Sequence, residues 1–231
     1  MTHGFDADYW EDHWREVGAR DGHRQVPANP YLATGTEGLV PGTALDAGCG
    51  EGAEAIWLAE RGWQVTAADI SAEVLARATG RAASSPAADR IDWRRADLGT
   101  WEPVGAFDLV TTHYAHPAMP QLAFYERIAG WVAPGGTLLV VGHLQDPGGD
   151  HGHAHGQGHG HGHDAGDGAE DGQPPAHATV TAASVVGCLD PEAWEVVSAE
   201  ERSRTIEGRE APLHDVVVRA RRRTSPGAAS S

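Results

Sequence analysis

The stretch Leu45-Asp46-Ala47-Gly48-Cys49-Gly50-Glu51-Gly52 is answered by Asp69 at the end of the next apolar run. It reads as a buried strand, a glycine turn, a helix, a second strand and then a carboxylate. That order is half of a nucleotide-type binding unit. Glycines at such a turn let a ligand approach the backbone, and an acid about 20 positions on accepts ribose hydroxyls. Two ligand classes suit the pattern, because Gly48-x-Gly50-x-x-Ala53 also passes the looser dinucleotide fingerprint.

Asp46 helps to separate them, since it is expected where the first strand ends, close to whatever the turn holds. A pyrophosphate there is repelled, at a cost that rises as water is excluded. S-adenosylmethionine carries an ammonium and a sulfonium, which a carboxylate attracts. A nicotinamide-dependent oxidoreductase is therefore disfavoured. With Asp46, Gly48, Gly50 and Gly52 forming an acid followed by Gly-x-Gly-x-Gly, the chain resembles a class I (Rossmann-like) S-adenosylmethionine-dependent methyltransferase.

The resemblance implies a cofactor set of Asp46, Gly48, Cys49, Gly50, Gly52, Asp69, Ile70, Asp97, Leu98 and His113. The turn takes the methionine part, Asp69 the ribose, Ile70 packs on adenine, and Asp97-Leu98 meets the adenine amino group. Two of these acids have plainer readings. Asp69 also stands where a helix cap before Ser71 would, and Asp97 where a surface-turn aspartate would.

Methyl transfer is an in-line displacement with a good neutral leaving group, so holding the partners aligned and dry supplies much of the acceleration. A base is needed only when the acceptor arrives protonated. Candidate acceptor-side groups are His113, Tyr114 and His116 after the fourth strand, and His143 after the fifth. The order of strands in such folds lets His116 and His143 meet over one pocket; exposed or hydrogen-bonded loop histidines are the plainer reading. Tyr9, Trp10 and Trp14 suit an aromatic lid as well as a helix packed on the core. Thr112-His113-Tyr114-Ala115-His116-Pro117 stands where amino-methylating enzymes acting on adenine or glutamine carry Asn-Pro-Pro-Tyr or Asp-Pro-Pro-Tyr. With the compact length, the Gly62-Trp-Gln-Val-Thr66 run and the Trp-rich entry, the chain looks more like the small-molecule branch near thiopurine and tellurite methyltransferases.

The elements that must position these residues follow in order. Helical spacing runs from Phe5 to Val17, and Val26 to Leu39 reads as a connecting loop. Strands are expected at Thr43–Ala47, Trp63–Ala68, Ile91–Ala96, Phe107–Thr112 and Thr137–Gly142. Helices are expected over Glu51–Arg61, from Ser71, and over Met119–Val132. Alternating strands and helices imply an α/β doubly wound parallel sheet with its ligand at the carboxyl ends of the strands. A helix near Val180–Cys188 and strands at Trp194–Val197, with an extension, and Leu213–Ala220 complete a seven-stranded, mostly parallel sheet of the methyltransferase type. Helices cover both faces, and the last strand is antiparallel. Residues 1–231 read as a single domain, with 1–40 as an N-terminal helix and lid.

Residues 145–178 interrupt this order with Gly, His, Asp, Ala, Gln and Pro, and are expected to be disordered. Within them His151, His153, His155, His159, His161 and His163 could gather Ni²⁺, Zn²⁺ or Cu²⁺, or bind metal only as an affinity tag does. A metal-binding or metal-buffering protein on a Rossmann-like scaffold is thus the second reading of the whole chain. The formal charge of −16 argues against a nucleic-acid partner. All 17 basic residues are arginine, and Arg219 with Arg221 to Arg223 form the one basic cluster. Two cysteines make no disulfide framework, and no run reaches membrane-spanning length, so a soluble cytoplasmic protein without a membrane partner is expected. The acceptor is expected to be a small molecule; its identity and the oligomeric state are not legible.

Overall fold

The computed structural model describes residues 5–21, 26–145, 178–205 and 212–224. Helix α1 (Ala7–Asp21) and helix α2 (Pro30–Gly35) precede β1 (Thr43–Ala47), α3 (Ala53–Glu60), β2 (Gln64–Asp69), α4 (Ala72–Ala82), β3 (Ile91–Arg95) and β4 (Phe107–His113). Then come α5 (Gln121–Ala129), β5 (Val132–Leu144), β6 (Thr179–Val180), α6 (Ala182–Gly187), β7 (Trp194–Arg204) and β8 (Leu213–Arg222). The sheet path is β3-β2-β1-β4-β5-β8-β7. Its first five strands are parallel, and β8 runs antiparallel to both β5 and β7. The short β6 adds a parallel pairing beyond the seven expected strands, His143 opposite Thr179 and Leu144 opposite Val180.

The apolar strands are buried on both faces, as parallel strands are when helices cover each side. Leu138 and Val140 of β5 pack with Phe124, Tyr125 and Ile128 of α5. The alternate residues Leu139 and Val141 pack with Leu32 of α2 and Leu58 of α3 on the other face. The same alternation aligns the functional edge. Ala44 and Asp46 lie in register with Leu109 and Thr111, so Asp46, Thr111 and His113 share the α3 face of the sheet.

Three expectations are corrected. The stretch expected as a connecting loop contains α2, because Asn29 caps it through Tyr31 N–H and Pro30 occupies its first turn. Loop-like residues here start a helix. Helix α5 ends at Ala129, three residues before Val132. Strand β5 starts at Val132, and a bulge opposite Phe107 and Leu109 absorbs the Pro134-Gly135-Gly136 run. Among the described residues, no helix is long and apolar enough to cross a membrane.

Candidate active site

A cavity of about 790 Å³ opens at the carboxyl ends of β1 to β4. Its lining includes Gly48, Cys49, Gly50, Asp69, Ile70, Asp97, Leu98, His113 and His116. Phe5, Trp10 and Trp14 bring one wall from the α1 segment, and residues 26–30 bring another. Trp10 also donates its indole N–H to the His116 carbonyl at 3.1 Å, tying α1 across the cavity to the turn after β4.

The turn after β1 is held by its own backbone. Gly48 N–H and Cys49 N–H both donate to the Ala68 carbonyl, at 2.9 and 3.0 Å. Gly48 has φ +80°, and a Cβ there would lie 2.3 Å from the Ala115 Cβ. Asp69 sits across the turn, accepting from Gly50 N–H and Ser71 N–H at 3.0 Å each. Burial raises its pKa above the usual carboxylate range, against the lowering effect of these amides. Each carboxylate oxygen keeps a further lone pair.

Several expected positions lie away from the cavity surface. Asp46, 1% exposed, is outside the lining, and its Oδ2 has no hydrogen-bond partner among the described residues. Burial, then the charges of Glu54 and Asp69, push its carboxyl well above the usual range. Gly52 caps α3 with φ +75°, and a Cβ there would meet Trp93 at 2.5 Å. Gly52 is outside the cavity lining, and close packing of the turn on β3 requires a glycine here. Tyr9 is 40% exposed and outside the lining. His143 is also outside it, although its ring meets His116 as expected, stacked with centroids 5.4 Å apart, and lies tilted against Tyr114 at 4.6 Å.

His113 lines the cavity and shares a 2.8 Å hydrogen bond between Nε2 and the Thr111 hydroxyl. Its Nδ1 is buried without a partner among the described residues, and burial lowers its pKa, favouring the neutral ring. The Cys49 thiol is held protonated, its pKa raised by burial and then by Asp46 and Asp69. Asp97 lines the cavity yet uses its carboxylate locally, accepting from Gly99 N–H at 2.9 Å and from the Thr100 hydroxyl at 3.1 Å.

Glu54, Asn29, Arg204, Asp215 and Glu11 were not anticipated. Glu54 lines the cavity beside the buried Asp46 and accepts from Asn29 N–H at 2.9 Å. Asp215, an acid inside the apolar run after Leu213, was the one signal available. The histidines from His151 to His163 lie outside the described residues, among which no group of three or more His, Cys, Asp or Glu could hold a metal ion.

Residues 44–136 match the methyltransferase domain family. An uncharacterized methyltransferase of Mycobacterium bovis is 43% identical over 119 residues, 49% of this chain and 58% of that protein. A trans-aconitate 2-methyltransferase of Streptomyces avermitilis is 34% identical over 134 residues, 54% of this chain and 49% of that protein. The chain thus spans about half the length of such relatives. The solved structure of the N-methyltransferase NodS of Bradyrhizobium japonicum, in complex with S-adenosyl-L-homocysteine, has a TM-score of 0.62. At 16% identity it covers 92% of this chain and 97% of its own. TehB from Haemophilus influenzae gives 0.61 at 15% identity, over 91% of this chain and 66% of its own. The chain shares the fold of these methyltransferase structures, and its residues 44–136 resemble a methyltransferase domain.

Proposed function

We propose that this protein transfers the methyl group of S-adenosylmethionine to a small soluble acceptor within the cavity at the β1 to β4 edge. One observation carries the reading. The glycine turn and Asp69 edge a single cavity, and close to it lies the buried carboxyl of Asp46, with an oxygen that no group among the described residues satisfies. An orphaned buried acid is costly unless a donor or cation arrives. The ammonium and sulfonium of S-adenosylmethionine suit such a site, whereas the pyrophosphate of a dinucleotide does not.

In this reading the Gly48-Cys49-Gly50 backbone holds the methionine part and Asp69 the ribose, while Ile70 and Leu98 pack against adenine. Asp97, being engaged in its own turn, contributes as the edge of that subsite. When bound, the cofactor supplies a methyl carbon that leaves a neutral thioether as an acceptor lone pair takes it. Trp10, Trp14 and Phe5 exclude water. His113, neutral through burial, takes the proton of a protic acceptor; an acceptor that arrives as an anion needs no base. A small acceptor agrees with the trans-aconitate methyltransferase among the relatives, and a cytoplasmic location with the absence of a disulfide framework.

Calorimetric titration of the full chain with S-adenosylhomocysteine and with NAD tests the reading. Saturable binding of the former and none of the latter is expected. Binding of NAD in preference would overturn it.

A further inference from the structure

Three side chains from three elements close one hydrogen-bonded ring beside the cavity. Tyr114, in the turn after β4, donates its hydroxyl to Asp215 Oδ1 at 2.7 Å. Arg204, at the end of β7, donates from Nε to Asp215 Oδ2 at 2.6 Å and from Nη2 to the Tyr114 oxygen at 2.9 Å. Asp215, on β8, is 0% exposed. Tyr114 is held at φ 55°, the one positive φ outside glycine among the described residues.

A buried carboxylate needs partners, so part of this ring serves the fold. That need does not use the arginine's remaining donors. The Nε/Nη2 edge of Arg204 is spent on Asp215 and Tyr114. Nη1 and the second proton of Nη2 make no hydrogen bond among the described residues, and Arg204 lines the same cavity as the glycine turn. Beside the turn the lining is acidic, with Glu51, Glu54 and Asp69. A guanidinium locked by two internal bonds presents a planar pair of donors that matches a carboxylate bidentately.

We propose that Arg204 is a specificity-determining residue whose Nη1/Nη2 edge receives a carboxylate borne by the methyl acceptor, with Tyr114 and Asp215 as its positioning residues. The acceptor class is therefore a small carboxylate-bearing molecule. This rests on the methyl-transfer reading for its biological meaning, whereas the anion site itself is measurable alone.

The test uses the full chain and two probes of equal shape, benzoate and neutral benzamide. S-adenosylhomocysteine affinity is measured first, and each probe is then titrated with and without it. Benzoate is expected to bind roughly tenfold or more tightly than benzamide, the scale of a charge-assisted hydrogen-bonded pair. R204Q leaves Asp215 buried without its cation and risks the fold, so the R204Q/D215N double variant accompanies it. Both are expected to lose the preference while binding S-adenosylhomocysteine as the parent does, and R204K is expected to keep only part of it. Equal binding of the two probes, no binding of benzoate, or a preference that survives in R204Q/D215N overturns the proposal. Failure of S-adenosylhomocysteine to bind, with an Arg204-dependent benzoate preference intact, overturns the methyl-transfer reading and leaves the anion site standing.

Discussion

Glu11 of α1 accepts a hydrogen bond from the Ser71 hydroxyl at 2.8 Å, so the helix that walls the cavity also caps the helix that follows Asp69. The same carboxylate accepts from Ala72 N–H at 2.9 Å and Glu73 N–H at 3.1 Å, and Arg95 approaches it at 3.3 Å. Arg77 adds a second tie, donating to the Trp14 carbonyl at 2.6 Å. Because α1 holds Trp10 and Trp14 over the cavity, these ties decide how firmly the wall closes.

Glu11→Ala is expected to cost about 1 kcal/mol of stability, the usual worth of a helix cap. It should also release α1 from the α4 N-terminus. Hydrogen exchange of the α1 amides should quicken and S-adenosylhomocysteine should dissociate faster. Burial acts to raise the Glu11 pKa, but the amide, hydroxyl and Arg95 contacts hold it lowered overall. Its contribution is therefore present above the unfolded carboxylate value and lost as pH falls through the lower folded one. An exchange rate in α1 that Glu11→Ala leaves unchanged would remove the latch.

Asp46 should release a proton when a cationic ligand binds. Burial and two neighbouring acids keep its carboxyl protonated to higher pH than usual. The folded chain thus holds this proton where the unfolded chain has lost it, so stability falls as pH rises from the ordinary value to the raised one. A nearby sulfonium favours the carboxylate and expels the proton. At about pH 6, above the ordinary carboxylate value, the binding enthalpy of S-adenosylmethionine should vary with the ionisation enthalpy of the buffer. D46N should abolish that variation. Buffer-independent enthalpy in the parent protein would argue against a proton on Asp46.

Gly52→Ala is expected to destabilise the fold for two separable reasons. Its φ of +75° costs a side chain about 1 to 2 kcal/mol, and the new Cβ would lie 2.5 Å from the Trp93 ring. Adding Trp93→Leu to Gly52→Ala should recover the steric part and leave the backbone part, as read by denaturant midpoints. Equal stability of the single and double variants would assign the whole cost to the backbone.

The parallel core was legible because burial on both faces leaves an unbroken apolar run. Thr43–Ala47 was placed residue for residue on that ground. The turn was legible because Gly48, Gly50 and Gly52 stand beside an acid. Gly52, however, packs against Trp93 and lies outside the cavity lining, and spacing cannot tell a packing glycine from a binding one. Asn29-Pro30 was ambiguous for a related reason, since the residues that make a loop also begin a helix. The Tyr114–Arg204–Asp215 ring left only one local sign, an acid within the apolar run after Leu213. Tyr114 and Asp215 stand 101 positions apart and meet only because β8 inserts beside β5.

His113 carries the last expectation. Its ring is buried on the α3 face of β4, where Nε2 meets the Thr111 hydroxyl at 2.8 Å. Burial lowers its pKa and outweighs the opposing pull of Glu54. The unfolded chain then binds the proton first as pH falls, so His113 withdraws stability below the ordinary histidine value of about 6.5. In a histidine NMR titration its resonance should stay that of neutral imidazole after exposed histidines have charged. Removing Glu54's charge by Glu54→Gln takes away the only opposing influence and should lower the midpoint further. Thr111→Val leaves burial in place, so the ring should remain neutral while its nitrogen shifts report the lost hydrogen bond. A His113 midpoint above neutral pH, in the parent or in Glu54→Gln, would mean that the ring is charged near neutrality. It would then be unable to take a proton from an acceptor.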